Sequence, residues 1–312
     1  MKKIFITAVG GDIGYGVIKS LTKSNHELYI IGCDVQKYNY SYDLVDEFYV
    51  SPAYRDEEKW KGFVLEVLQN NGVEYFWPVT EPEIKIVNDN KELFEKYKVV
   101  MNKSSVLEIA MDKGRTAEYL LRAGIKTPQT WTEIASCEEN YPMVVKEKFG
   151  CGSHAVSVVN NHNELVEEFN KMSDPIVQTY IGDADDEYTM TVFSDGHVVN
   201  SIAFKRDLGF GGMSRSVELV HDDKVDEIAH KIAALFDLKG SVNVQMRKLN
   251  GEYYVFEINP RISSTMGFRL QLGFNDTAWW IDMLEGNKVE QYIVPNKNVH
   301  GVRNVEEKLF YE

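Results

Sequence analysis

Over residues 1–105, short unbroken apolar runs alternate with longer segments in which apolar residues recur every three or four positions. The run "IFITAV" at 4–9 reads as a buried strand, the glycines after it as a tight turn, and the segment to Ser24 as an amphipathic helix. "ELYIIGCD" is the next strand, ending at Asp34, which completes a βαβ unit. "DEEKWKGFVLEVLQNNG" predicts a helix leading into the strand "VEYFWPVT", and "EPEIKIVNDNKELFEKY" is helical again. Alternation of this kind predicts a parallel sheet wound on both faces.

Around Val99 the alternation stops, and the domain boundary is expected near residue 105. "SSVLEIAMDKGRTAEYLLRAGI" carries one long helical pattern. "YPMVVKEKFGCGSHAVSVV" and "PIVQTYIGDADDEYTMTVFSDGHVVNSIAFKR" read as strands joined by glycine-rich or acidic turns, an antiparallel α+β pattern. "VDEIAHKIAALFDL" is a helix, "SVNVQMRKLNGEYYVFEINPR" a hairpin, and "TAWWIDMLEG" a last helix before a polar tail.

A length of 312 residues suits two such domains, and 44% hydrophobic content suffices for two cores. Acidic residues outnumber basic ones by 48 to 34, a net charge of −14 that would repel a phosphate backbone and argues against nucleic acid as a partner. An anionic ligand must be held by a local group of cations and N–H donors. Cys33, Cys137 and Cys151 are odd in number and widely spaced, so neither disulfides nor a zinc site is indicated, and a reducing cytoplasm is expected. No apolar stretch is long enough for a signal-peptide core or a membrane span.

Gly10, Gly11, Gly14 and Gly16 follow a strand and open a helix, and Asp34 ends the next strand. This approaches the dinucleotide-binding pattern, whose glycines admit a pyrophosphate and whose acid takes the ribose. Strict G-x-G-x-x-G spacing fails, because Val9 or Ile13 stands where glycine is required. Two readings stay open, a nicotinamide site and a turn that uses glycine only for packing.

The densest chemistry lies in "YVFEINPRIS", where Glu257, Asn259 and Arg261 are two apart and a strand would put them on one face. Carboxylate and amide oxygens at that spacing suit Mg²⁺, and an arginine beside them can neutralise a phosphoryl oxygen. Gln245 joins that face only in one register. A two-residue turn at Asn250-Gly251 puts it opposite, whereas a three-residue loop with a bulge at Gly251 brings it alongside Glu257. Lys113 opens a helix, and Lys146 ends an apolar run just before a glycine-rich loop whose N–H groups can cover phosphates. A lysine in a strand built for burial needs an anionic partner. Thr80, Glu81 and Glu83 start a helix, where they serve either as a cap or as a site for a substrate amine.

In their order and spacing, "MDKGRTAEYLLRAGIKTP", "YPMVVKEKFGCGSHAV", "IVQTYIGDADDEYTMTVF" and "VNVQMRKLNGEYYVFEINPR" resemble the ATP-grasp superfamily, most closely its carbamoyl-phosphate-synthase-like branch. The resemblance covers nearly the whole chain. It implies an α/β and α+β architecture, with a Rossmann-like preATP-grasp domain over 1–105 and a two-lobed ATP-grasp domain over 106–312. The small lobe would run from about 115 to 182, the large lobe from about 183 to 290, and a closing strand would lie within 291–312.

Carried over by motif, the resemblance makes Lys113 and Lys146 the nucleotide-phosphate cations and residues 149–155, with Gly150, Gly152 and Ser153, the phosphate-covering loop. It makes Gln178, Thr179, Tyr180 and Ile181 the adenine-reading hinge and Glu187 the ribose acid. Gln245, Glu257 and Asn259 become the metal ligands for one or two Mg²⁺, with Mn²⁺ as a substitute, and Arg261 stands beside the transferred phosphoryl group. Arg206, then Arg215, would hold the acceptor carboxylate, with Lys205 nearby. The implied reaction is ATP-dependent ligation of a small-molecule carboxylate to an amine through an acylphosphate, in a cytoplasmic enzyme that a homodimer would suit. The alternatives are phosphorylation of bicarbonate or carbamate with a partner, a nucleotide-binding module without turnover, and a nicotinamide oxidoreductase.

Overall fold

The computed structural model describes residues 1–312 except 151–155, 184, 210, 211, 305 and 312. The chain forms two compact units, the first of Met1–Asn102, Arg261–Tyr292 and Asn304–Glu312, the second of Lys103–Pro260 and Ile293–Arg303.

The first unit opens β1 (Lys2–Ile6), α1 (Asp12–Thr22), β2 (Leu28–Asp34), β3 (Glu47–Val50), α2 (Glu57–Asn70), β4 (Tyr75–Trp77), α3 (Glu81–Asp89) and β5 (Lys98–Val99). The five strands pair in the order β3-β2-β1-β4-β5, every pair parallel. Alternation decides what each face covers. Phe5, Ile31, Cys33 and Phe76 point to Trp60, Val64 and Leu68 of α2 and to Val87 of α3. The βαβ reading therefore holds, with β3 as an addition whose weakly apolar "EFYV" gave little signal.

The second unit contains α4 (Ser104–Ala110), α5 (Lys113–Arg122), β6 (Thr130–Trp131), β7 (Met143–Glu147), β8 (Val156–Val159), α6 (His162–Lys171), β9 (Pro175–Thr179), β10 (Glu187–Ser194), β11 (Val199–Leu208), β12 (Ser214–Leu219), α7 (Asp223–Phe236), β13 (Gly240–Leu249) and β14 (Glu252–Asn259). The single long helix expected over "SSVLEIAMDKGRTAEYLL" is two, because Asp112 caps α5 by accepting from the Arg115 N–H at 3.0 Å. β6, β9, β7 and β8 form an antiparallel sheet in that order, packed on α6 through Met143, Val145, Val177 and Leu165.

The chain then contributes α8 (Met266–Leu270) and α9 (Asp276–Glu285) to the first unit, where both pack on α1. Residues 261–292, read from sequence as the end of the second half, thus belong by packing to the first unit. The last strand, β15 (His300–Val302), closes a six-stranded antiparallel sheet of order β14-β13-β10-β11-β12-β15. This closing strand lies within 291–312, the segment where the resemblance put one.

One face of that sheet is apolar: Met190 and Val192, Val244 and Met246, Val255 and Ile258 pack against Ala229, Ile232 and Phe236 of α7. Alternate positions face the other way, and toward β13 and β14 they carry Thr189, Asn243, Gln245, Arg247, Glu257 and Asn259. The hairpin turn is the two-residue form, with Leu249 paired to Glu252 and both Asn250 (φ 52°) and Gly251 (φ 75°) left-handed. Of the two registers the sequence allowed at the turn, the bulged one is not adopted. A different bulge lies within β14, where the register shifts so that Met246 pairs with Val255 but Gln245 with Glu257. Phe256 is the extra residue. It lets Val255 and Ile258 both face α7 while Glu257 comes directly opposite Gln245.

Candidate functional site

The polar face collects side chains from four strands of the second unit. Glu187 of β10 accepts on Oε1 from Arg206 Nε at 3.2 Å and from a terminal Arg206 nitrogen at 2.6 Å. Its Oε2 accepts from Arg247 of β13 at 3.3 Å. The same Arg206 nitrogen also donates to Gln245 Oε1 at 3.1 Å. Beside them, Thr189 donates to Asn243 Oδ1 at 2.7 Å. Charge-assisted bonds across β11, β10 and β13 fix these groups relative to one another.

Three residues expected to meet ligands have partners within this network. Arg206 is buried and bonded to Glu187 and Gln245. Glu187, expected at the ribose, holds two guanidinium groups with its two oxygens. Gln245 does stand on the Glu257 face, but its amide oxygen meets a cation where a metal was expected. A guanidinium bound to that oxygen repels a second positive charge.

Lys146 comes to the polar face from β7. Met143 and Val145 point into the α6 core, so Lys146 points the other way, and its ammonium donates to the Phe256 carbonyl at 3.3 Å and lies 5.3 Å from the Phe256 ring centroid. The bulge residue therefore meets the lysine. Lys146 is 5% exposed. Burial pushes its pKa down to about 8; Glu257 opposes that shift, Lys113 and Arg247 add to it, and Glu187 opposes it. Lys113, 7% exposed at the start of α5, donates to the Gly150 carbonyl at 2.5 Å. Among the described residues neither lysine makes an ion pair. Each of the two buried ammonium groups donates to a backbone carbonyl.

The hinge expectation divides. Gln178 and Thr179 belong to β9, where Gln178 pairs with Thr130 and Val144, and the Gln178 side chain donates to Thr130 Oγ1 at 3.0 Å. Tyr180 and Ile181 lie past the strand's end. Gly182 follows at φ +57°, where a Cβ would come 2.5 Å from the Lys248 carbonyl, so only glycine fits the turn. Arg247, which the sequence reading missed, donates to the Ile181 carbonyl at 3.5 Å and lies 4.9 Å from the Tyr180 ring centroid. Its position two residues after Gln245 was the available signal. Gly152 and Ser153, with Cys151 and His154, lie outside the described residues.

Whether Mg²⁺ fits is decided by the donors. Glu257 and Asn259 stand two apart beyond the bulge, facing Gln245 and Asn243 across the ladder. Among the described residues no cluster of three or more His, Cys, Asp or Glu groups forms a protein-only cage. One carboxylate and one amide oxygen suit a hard cation that completes its shell with water and phosphate oxygens. The set fits Mg²⁺.

Arg261 is not on the strand, which ends at Asn259; its Nε pairs with Glu81 Oε1 at 3.3 Å within the first unit. The arginine expected beside the phosphoryl group and an acid expected at a substrate amine thus hold each other. Thr80 and Glu83 form a reciprocal capping box for α3. Glu83 Oε2 accepts from Thr7 Oγ1 at 2.9 Å and from the Thr80 N–H at 3.0 Å. Burial raises its pKa against those bonds, and in the structure Glu83 serves the cap of α3. Lys205 pairs with Asp186 at 2.8 Å, and Arg215 Nε with Asp207 at 2.9 Å, both at the surface.

The glycine turn has a packing role. A Cβ on Gly14 would lie 2.3 Å from the Ala8 carbonyl oxygen, so this glycine lets α1 sit against the turn. Asp34 accepts from the Gly10 N–H at 2.9 Å and the Gln36 N–H at 3.0 Å, using its carboxylate to hold the loop a nucleotide would need.

Comparison with known proteins agrees with the motif order. The model of the ATP-grasp domain family matches residues 110–265, half of the chain. The C-terminal section of the carbamoyl phosphate synthase large chain from Aquifex aeolicus is 25% identical over 309 residues, covering 86% of this chain and 55% of its own length. The chain thus spans about half the length of that relative. Among solved structures, the L-amino acid ligase from Bacillus licheniformis superposes with a TM-score of 0.71 at 18% identity, covering 91% of this chain and 74% of that one. The biotin carboxylase domain of the 2-oxoglutarate carboxylase from Hydrogenobacter thermophilus, solved with MgADP and bicarbonate, gives 0.73 at 16%, covering 92% and 70%. These likenesses establish the shared fold.

Proposed function

The chain belongs to the ATP-grasp family, and from that premise we propose that it is an ATP- and Mg²⁺-dependent ligase joining a carboxylate to an amine through an acylphosphate. The observation that carries this reading is the pair of buried lysines, Lys113 and Lys146, beside the Glu257–Asn259 strand end. Such cations serve a polyphosphate, and phosphoryl transfer asks for positioning and charge neutralisation rather than a side-chain nucleophile.

In this reading the base rests against the Tyr180–Ile181 connector and the phosphates meet Lys113 and Lys146. Glu257 and Asn259 hold Mg²⁺, which when bound supplies Lewis-acid neutralisation of phosphate oxygens. Lys146 stays protonated beside the phosphates and offsets the charge that gathers on the transferred group. Glu187 and Arg206 keep the sheet face rigid. An amine then attacks the acylphosphate, phosphate leaves, and the amide forms.

Similarity to a carbamoyl phosphate synthase section supports a second reading, in which bicarbonate is the phosphorylated acid. The test is ADP release from MgATP over a panel of amino acids, other small carboxylates, and bicarbonate with ammonia. Release that needs an organic carboxylate and an amine supports the ligase; release that needs only bicarbonate supports the second reading. Release stimulated by neither would sink both.

A further inference from the structure

Arg247 stands on β13 opposite Tyr254, on the same sheet face as Gln245. Its guanidinium is used on three sides. One terminal nitrogen donates to Glu187 Oε2 at 3.3 Å, the other to the Ile181 carbonyl at 3.5 Å, and the group lies 4.9 Å from the Tyr180 ring centroid. Only a planar fork of donors can meet a carboxylate, a carbonyl and an aromatic ring together.

The connector it touches needs an anchor. β9 ends at Thr179, and Gly182 turns the chain at φ +57°, so Tyr180 and Ile181 lie between the ladder and a left-handed turn. A connector left to itself costs conformational entropy when a ligand orders it. Arg247 pre-orders it and is itself held by Glu187, which Arg206 holds from the other side. The relay therefore runs from β11 through β10 and β13 to the connector.

We propose that Arg247 is a positioning residue for the nucleotide base: it fixes the Tyr180–Ile181 connector and sets base-dependent affinity while leaving the phosphates to the two lysines. This rests on the reading above, in which that connector meets adenine. It assigns a cation in a polyphosphate site to the base end, so it separates from the obvious alternative, a direct phosphate contact, by a measurement.

The experiment uses calorimetry on the full chain with two probes in the presence of Mg²⁺: a non-hydrolysable ATP analogue and inorganic tripolyphosphate, which has no base. Arg247→Ala should weaken the analogue about tenfold, the scale of one cation–π contact and one hydrogen bond, and leave tripolyphosphate within about twofold. Arg247→Lys, which keeps the charge but loses the fork, should recover only part of the loss. KM for ATP should rise with kcat nearly unchanged. A parallel loss for both probes would overturn the proposal, since it would mean a phosphate contact or a damaged fold, and an unchanged analogue affinity would overturn it too. If the unsubstituted protein binds tripolyphosphate but gains nothing from the base, Arg247 has no such role while the phosphate site stands. If it binds neither probe, the ligase reading fails and this proposal falls with it.

Discussion

Lys146 is held in an environment that disfavours its own charge. Its pKa, about 8 in the folded chain, lies below the unfolded value of about 10.4. Between those values the unfolded chain binds more protons, so this group's contribution makes stability rise as pH rises through that window. Lys146→Met should therefore raise the melting temperature of the nucleotide-free protein near neutral pH and abolish protection by MgATP. A melting temperature that falls would show the lysine to be structurally satisfied. Bound phosphate should restore the charge, so nucleotide binding at about pH 8.5 takes up a proton. Binding heats measured in two buffers of different ionisation enthalpy should differ accordingly; equal heats would refute the uptake. The lysine itself was legible, because "VVKE" sets a charge in an apolar run. The partners of Arg206 were not, because they depend on the register of three strands at once.

Elements repeat that contrast. The strands of the first unit were readable from unbroken apolar runs, and the break between α4 and α5 had a local signal in Asp112, an N-cap residue lying inside one continuous helical periodicity. The bulge at Phe256 had none: "YVFEIN" alternates acceptably in either register, and only the need to bury Val255 and Ile258 on one side decides it. At α3 the helix-cap role of Thr80 is the one with structural partners. Thr80→Ala should cost about 1 kcal/mol in urea unfolding and leave the acceptor KM unchanged. A KM increase without loss of stability would return Thr80 to the substrate site.

For the whole molecule, the return of residues 261–292 to the first unit was illegible, because it is set by long-range packing. It carries a fully buried pair, Arg269 with Asp276, whose guanidinium Nε and second terminal nitrogen reach the two carboxylate oxygens at 3.0 Å each. Ser263 Oγ accepts from the same arginine at 3.0 Å. Asp276→Ala strands that cation and should cost about 3–5 kcal/mol, seen as a lower urea midpoint; a cost below about 1 kcal/mol would mean that water reaches the arginine. The net charge of −14 leaves anion binding to local cations, which is where the lysines stand. Among the described residues no helix is long and apolar enough to cross a membrane.

The most direct measurement is steady-state ADP release from MgATP with the stimulating carboxylate and amine, comparing the unsubstituted chain with Glu257→Gln. The variant keeps size and hydrogen bonding but loses the one carboxylate assigned to Mg²⁺. Acceptor-dependent release that drops about a hundredfold or more, with the melting temperature unchanged, is the predicted result. Release that survives the substitution would contradict the assignment of phosphoryl transfer to this strand end.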